Sequence, residues 1–247
     1  MHKIQTFNAI SDKGLDRFPR DLYEVGAETD NAEAILLRSH KLNPSSVTGD
    51  LKAVARAGAG VNNVPVAECT EKGVVVFNTP GANANAVKEL VLCGLLLASR
   101  GIIPGIGFAS SQTSISDYGE FSKLMETEKK NFKGNEIAGK TLGVIGLGSI
   151  GSLVADMAIK MGMNVQGFDP ALSVEAAWRL PSQVKRIENL NSLVGSSNFI
   201  SLHLPALDST RKLIDSSMFA SMRQGTCLLN FARDEMVDTE ALIAALD

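Results

Sequence analysis

Short apolar runs, each closed by polar, Gly or Pro positions, recur along the first third of the chain. AILLRS (34–39), LKAVARAG (51–58) and VVVFNTPG (74–81) are rich in Val, Ile and Leu. This is the pattern of buried strands. NNVPVAECTEKG, between the second and third, predicts a short helix closed by Gly73. Strands alternating with helices predict a parallel α/β sheet, whose ligands sit beyond the carboxyl ends of the strands. Arg38 and Ser39, the loop Arg56, Ala57, Gly58, Ala59 and Gly60, and residues 78–81 occupy those ends.

NANAVKELVLCGLLLASRG follows as a long, mostly apolar helix. Its core LVLCGLLLAS (90–99) is closed by Arg100 and falls well short of the roughly 20 residues of a membrane-spanning helix. A buried helix is therefore expected, with no membrane partner. SSQTSIS (110–116) and the charged EFSKLMETEKKNFKGNE then mark a solvated middle stretch, where the domain change is placed, giving residues 1–95 and 96–247. From Thr141 the pattern sharpens. TLGVIGLG is a strand running into a glycine turn. SIGSLVADMAIKMG places Ile150, Leu153, Val154, Met157, Ala158 and Met161 at helical spacing, with Gly162 as the stop. NVQGFDP, NFISLHLP and GTCLLNFAR read as three further strands.

Composition narrows the classes. Hydrophobic residues make up 45% and charged residues 21%, with a net charge of −3. That composition sustains a core, and no Lys/Arg run is present to track a nucleic-acid backbone. Three scattered cysteines without a CxxC or His/Cys cluster argue against a disulfide framework and a metal site. A reducing, cytoplasmic setting is expected.

Candidate chemistry concentrates at Gly146-Leu147-Gly148-Ser149-Ile150-Gly151, a GxGxxG between a strand and an amphipathic helix. Asp169 ends the next strand 18 residues beyond Gly151. In such a unit the first glycine permits the tight turn, the second admits a pyrophosphate, and the third lets helix and strand approach. The amides of Ser149 and Ile150 then face the negative charge at a helix N-terminus. Asp169 accepts from the adenosine ribose hydroxyls and repels a 2′-phosphate. Pro170 follows it and no arginine does, so NAD is expected rather than NADP. The bland alternative is a glycine-rich turn that holds no ligand.

The motifs ARAGAGVNNV (55–64), NTPGANANAVKEL (78–90), GKTLGVIGLGSIG (139–151), GFDP (167–170), SLHLPALDSTRKLI (201–214) and LLNFARDEMVDTEALIAAL (228–246) together resemble the D-isomer-specific 2-hydroxyacid dehydrogenases. The resemblance covers nearly the whole chain. It implies two α/β domains, a Rossmann-type parallel sheet for NAD and a smaller flavodoxin-like substrate domain, both incomplete at the C-terminus. It implies hydride transfer between NAD and C2 of a D-2-hydroxy acid, in a homo-oligomer (dimer or tetramer). Arg233 would orient the substrate carboxylate, a task suited to a planar, permanently charged guanidinium. Phe231 and Ala232 would line the nicotinamide side, Leu204 and Pro205 would lie near the cofactor, and Thr210 in the loop beside it. Arg38, Ser39 and the 56–60 loop would bind substrate.

The cations of LRSHK and Arg56 suit a substrate phosphorylated at its far end, which points to the members that oxidise D-3-phosphoglycerate to 3-phosphohydroxypyruvate in serine biosynthesis. Three positions depart from the family pattern: Asn62 replaces an acid, Lys88 a small residue and Asp234 a glycine. Asp234 and Glu235 are expected to turn to solvent. The family's general base, a histidine tuned by a glutamate, would lie downstream of the helix starting near Asp238. His203 matches a cofactor-side position instead. The chain is thus expected to bind NAD but to be inactive alone. A dehydrogenase for another D-2-hydroxy acid, and a non-catalytic NAD-binding or interaction protein on the same fold, remain open readings. Short-chain dehydrogenase chemistry is disfavoured, since neither Tyr23 nor Tyr118 has lysine at the fourth following position.

Overall fold

The structure, a computed structural model, describes residues 1–246, which fall into two compact units, Met1–Asn83 and Ala84–Asp247. The first unit holds one parallel five-stranded sheet. Its strands are β1 (His2–Phe7), β2 (Tyr23–Gly26), β3 (Ala34–Leu37), β4 (Ala53–Arg56) and β5 (Val75–Asn78), in spatial order β2-β1-β3-β4-β5. Helices α1 (Asp12–Leu15) and α2 (Val66–Glu71) belong to this unit. Its core packs Ile35, Leu37, Val47, Val54, Cys69 and Val74. Gly73, just past α2, takes a φ of 70°, as the expected stop requires.

In the second unit the strands are β6 (Thr141–Ile145), β7 (Asn164–Phe168), β8 (Lys185–Arg186), β9 (Phe199–Leu202) and β10 (Cys227–Asn230), in the parallel order β10-β9-β6-β7-β8. Helices α3 (Ala84–Ser99), α4 (Ile102–Ser111), α5 (Tyr118–Glu128), α6 (Ser149–Lys160), α7 (Val174–Arg179), α8 (Leu190–Ser196), α9 (Ser216–Ser221) and α10 (Thr239–Leu246) complete it. One core cluster joins Val91 and Leu95 of α3 to Leu142 and Val144 of β6 and Val154 and Ala158 of α6. Another joins Ile145, Ile200 and Leu202 to Leu193, Ile214 and Met236. Both sheets place the first strand of their unit next to a strand that is not its sequence neighbour. Such an α/β switch point opens a crevice at the strand ends.

Three expectations are corrected here. The boundary expected between residues 95 and 96 falls inside α3. The whole helix belongs to the second unit because Val91 and Leu95 bury against β6 and α6. Nor is α3 buried all round: Val91 and Leu95 are sealed, whereas Leu90 is 52% exposed and Leu96 37%. Only the stripe at helical spacing meets the sheet. Nor does SSQTSIS follow α3 directly: residues 102–111 form the helix α4, whose Pro104 sits in the first turn, where no intrahelical N–H bond is lost. Among the described residues no single helix is long and apolar enough to cross a membrane.

Candidate functional site

The second unit builds its site at the carboxyl end of β6, beside β9. Gly146 leaves the strand with a φ of 91°, in the left-handed region. Its amide donates to Phe168 O at 2.9 Å, and a Cβ there would stand 2.7 Å from the His203 carbonyl oxygen. Gly151 is tighter still, since a Cβ would stand 1.9 Å from Gly146 O. Helix α6 therefore rests directly on the turn. A Cβ on Gly148, by contrast, would meet nothing within 4 Å. That open space lies at the N-terminus of a 12-residue helix, where the amides of the first turn lack intrahelical partners. Gly148 and Ser149 are exposed and Ile150 is half-buried. These residues fit a dinucleotide pyrophosphate: two glycines are required by packing and the third by the room it leaves.

Asp169 ends β7 beside this turn and does more than its position in the sequence suggests. Its Oδ2 accepts from Leu147 N at 2.8 Å and its Oδ1 from Ala171 N at 3.0 Å. The carboxylate thereby holds the glycine turn in place. Each oxygen keeps a further lone pair for a ribose hydroxyl. Pro170 is exposed next to it.

On the other side of the switch point lie the residues after β9. Leu204 is half-buried against the second core cluster, and Pro205 is exposed. Thr210 closes its own loop: its hydroxyl donates to Pro205 O at 2.7 Å and accepts from Leu207 N at 2.8 Å. Its hydroxyl is thus engaged within the loop itself. After β10, Phe231 packs into the first cluster near Gly94 and Ala232 into the second. Arg233 is exposed, with Nη1 donating to Ala232 O at 2.7 Å. Asn230 Nδ2 donates to Arg233 O at 2.7 Å, fixing the turn that carries it. Asp234 and Glu235 are exposed, and Glu235 lies 3.9 Å from Arg211. Asp238 caps α10 as expected, accepting from Glu240 N and Ala241 N.

His203 is held close to the glycine turn. Its Nε2 shares a hydrogen bond of 2.8 Å with the hydroxyl of the fully buried Ser201. Burial pushes the pKa of the ring down to about 4. The unfolded chain therefore binds a proton between about pH 6.5 and 4 that the folded chain refuses, and stability falls as pH falls through that window. Between pH 7 and pH 5 this group alone is expected to remove about 2 kcal/mol. His203→Gln keeps a bonding partner for Ser201 without titrating. Urea unfolding at both pH values should show a markedly smaller loss in the variant; an equal loss would place the titration elsewhere.

In the first unit the crevice lies between β1 and β3. The register Phe7↔Leu37 sets Asn8 across from Arg38. Arg38 and Ser39 are exposed at this strand end. Arg56 is turned to a bracing role, with Nε donating to Arg38 O at 3.0 Å and the guanidinium lying over Gly58. The loop 57–60 is pinned from β5: Thr79 N donates to Gly58 O at 3.0 Å and Asn78 Nδ2 to Ala59 O at 2.7 Å. The structure thus groups Arg38, Ser39 and residues 56–60 in the first unit. It groups Gly146–Gly151, Asp169, Leu204 and Pro205 in the second. Sequence reasoning missed Asn8, Asn63 and Ser201, whose only signal is a short polar side chain after a strand, in the turn before α2 or within a buried strand. Among the described residues no group of three or more His, Cys, Asp or Glu could hold a metal.

The second unit is thus a dinucleotide-binding Rossmann unit in sheet order, glycine turn and ribose-side acid. The sequence profile described as D-isomer specific 2-hydroxyacid dehydrogenase, NAD binding domain, matches residues 109–247. The chain belongs to the D-isomer-specific 2-hydroxyacid dehydrogenase family, and its cofactor is NAD. It is 40% identical over 196 residues to a D-3-phosphoglycerate dehydrogenase of Methanocaldococcus jannaschii, covering 79% of this chain and 34% of that protein. It is 41% identical over 193 residues to a hydroxypyruvate reductase of Thermotoga maritima, covering 78% and 57%. Among solved structures, holo D-mandelate dehydrogenase of Rhodotorula graminis aligns with a TM-score of 0.80 at 26% identity, over 99% of this chain and 77% of that one. NAD+-bound 3-phosphoglycerate dehydrogenase of Entamoeba histolytica aligns with a TM-score of 0.70 at 25% identity, over 99% and 76%. The chain spans between about a third and somewhat over half the length of these curated relatives.

Proposed function

We propose that the chain carries the NAD-binding and acid-binding parts of a dehydrogenase that oxidises D-3-phosphoglycerate to 3-phosphohydroxypyruvate, a reaction of serine biosynthesis. The observation that carries this reading is that one chain holds both a Rossmann turn, in its second unit, and an exposed arginine and serine, Arg38 and Ser39, at the switch point of the sheet of its first. Bound NAD supplies the hydride acceptor. The chain's own residues do the rest that binding requires. The amides of Gly148–Ile150 hold the pyrophosphate, and Asp169 selects the ribose without a 2′-phosphate. Arg233 of the second unit offers a guanidinium suited to a carboxylate, and Arg38 of the first unit a cation suited to a phosphate. The relatives that are D-3-phosphoglycerate dehydrogenases support the choice of acid, while the hydroxypyruvate reductase keeps a non-phosphorylated hydroxy acid as the second reading.

No histidine among the described residues is set up as the base. His2 pairs with Glu33 but opens β1, at the end of the strand opposite Asn8, His40 stacks on Phe7, and His203 is kept neutral beside Ser201. We therefore read the 247-residue chain by itself as binding cofactor and acid with little turnover. Calorimetric titration tests the substrate. D-3-Phosphoglycerate should bind at least ~10-fold more tightly than D-glycerate, the scale of one charge-assisted contact, and Arg38→Ala should erase the difference. Equal affinity for the two acids in the unaltered chain would favour the second reading, and rapid NAD+ reduction by this chain would overturn the statement about the base.

A further inference from the structure

The turn Arg38–His40 is held from two sides by asparagines that the proposed reaction does not itself employ. Asn8 follows β1 in the left-handed region, with a φ of 65°. Its Oδ1 accepts from Ser39 N at 3.0 Å and His40 N at 2.6 Å, and lies 3.5 Å from Ser39 Oγ. From the other side, Asn63 Nδ2 donates to Arg38 O at 3.1 Å and His40 O at 2.7 Å. The ring of His40 stacks on Phe7, the neighbour of Asn8, with centroids 4.2 Å apart and planes 5° from parallel. The amides of this turn therefore point to one asparagine and its carbonyls to the other. What the turn leaves exposed for a ligand is side chain, that of Arg38 and that of Ser39, whose hydroxyl rests at the edge of hydrogen-bond reach of Asn8.

Resting on the reading that this turn binds the acid, we infer that Asn8 is a positioning residue for the substrate: by capturing two consecutive amides it fixes where Arg38 and Ser39 present their side chains. The backbone conformation adds a reason for asparagine. Most residues resist the left-handed region, whereas Asn, Asp and Gly enter it readily, and of the three only Asn and Asp offer the acceptor. A glycine at position 8 thus keeps the chain path and removes only the acceptor. An aspartate keeps both.

The test is calorimetric titration of D-3-phosphoglycerate into the unaltered chain and Asn8→Gly. Backbone amide exchange at Ser39 and His40 is followed by NMR in these proteins and in Asn8→Asp, whose added charge would repel a phosphate and which therefore serves the exchange readout alone. Asn8→Gly should bind the acid at least ~10-fold more weakly and exchange both amides at least ~10-fold faster, while Asn8→Asp keeps both amides within about threefold of the unaltered chain. NADH affinity, a property of the second unit, should be the same in all three. Unchanged affinity in Asn8→Gly would overturn the assignment alone, as would amide exchange in Asn8→Asp as fast as in Asn8→Gly. Absence of any binding by the unaltered chain would instead defeat the phospho-acid reading on which the assignment rests, and the assignment with it.

Discussion

Gly151→Ala is expected to abolish NADH binding and to destabilise the second unit by about 3 kcal/mol or more, the upper range for forcing a methyl group into a packed site. The added carbon would stand 1.9 Å from the Gly146 carbonyl oxygen, a backbone atom that has no rotamer to escape into. Either α6 lifts from the turn or the turn itself reshapes. Both movements take the amides at the helix N-terminus away from the pyrophosphate. Gly148→Ala is the informative contrast, because its methyl group meets nothing within 4 Å. That variant should unfold within about 1 kcal/mol of the unaltered protein, the scale of an exposed helix-end substitution, yet lose most of its affinity for NADH. Urea unfolding and NADH titration of the two proteins separate the effects. A Gly151→Ala protein with unaltered stability would mean that α6 does not sit on the turn as described.

Asp169→Ala is expected to weaken NADH binding by about 100-fold or more, the sum of two charge-assisted hydrogen bonds to a ribose. It should also narrow the gap between NADH and NADPH, because the carboxylate that opposes a 2′-phosphate is gone. Part of the loss arises inside the protein. Leu147 N and Ala171 N lose their acceptors, and the glycine turn loses the contact that ties it to the end of β7. A stability cost of about 1–2 kcal/mol is expected from those two bonds. Calorimetric titration with each dinucleotide reads both effects. An Asp169→Ala protein that binds NADH as the unaltered chain does would remove Asp169 from the site.

The second unit was legible where burial is two-sided. All of Leu142–Ile145 and Phe199–Leu202 are buried, so their sequences read as nearly continuous apolar runs, with Ser201 the one polar position. The turn between β6 and α6 carries its own signature, because each glycine answers to a steric demand that can be named. The first unit was harder. In HKIQTF only Ile4 is fully buried, and YEVG is four residues long, so neither β1 nor β2 produces a strong period. Yet β1 is the strand that carries Asn8 to the site. The unit boundary was hidden for a related reason: α3 is apolar on its exposed side as well as its buried one, and composition does not say which sheet it covers. Arg56 shows a further limit. Its charge and its strand-end position suggested a ligand contact, whereas Nε is directed at the Arg38 carbonyl, a pairing that depends on strand register alone.

The central claim is that the turn 146–151 and Asp169 form one dinucleotide site that prefers NAD. Calorimetric titration of the folded, unaltered chain with NADH and then with NADPH addresses it most directly. One NADH per chain at micromolar affinity is expected, with NADPH weaker by about 100-fold, as an uncompensated carboxylate–phosphate repulsion requires. No heat with millimolar NADH, or equal affinity for the two dinucleotides, would contradict it.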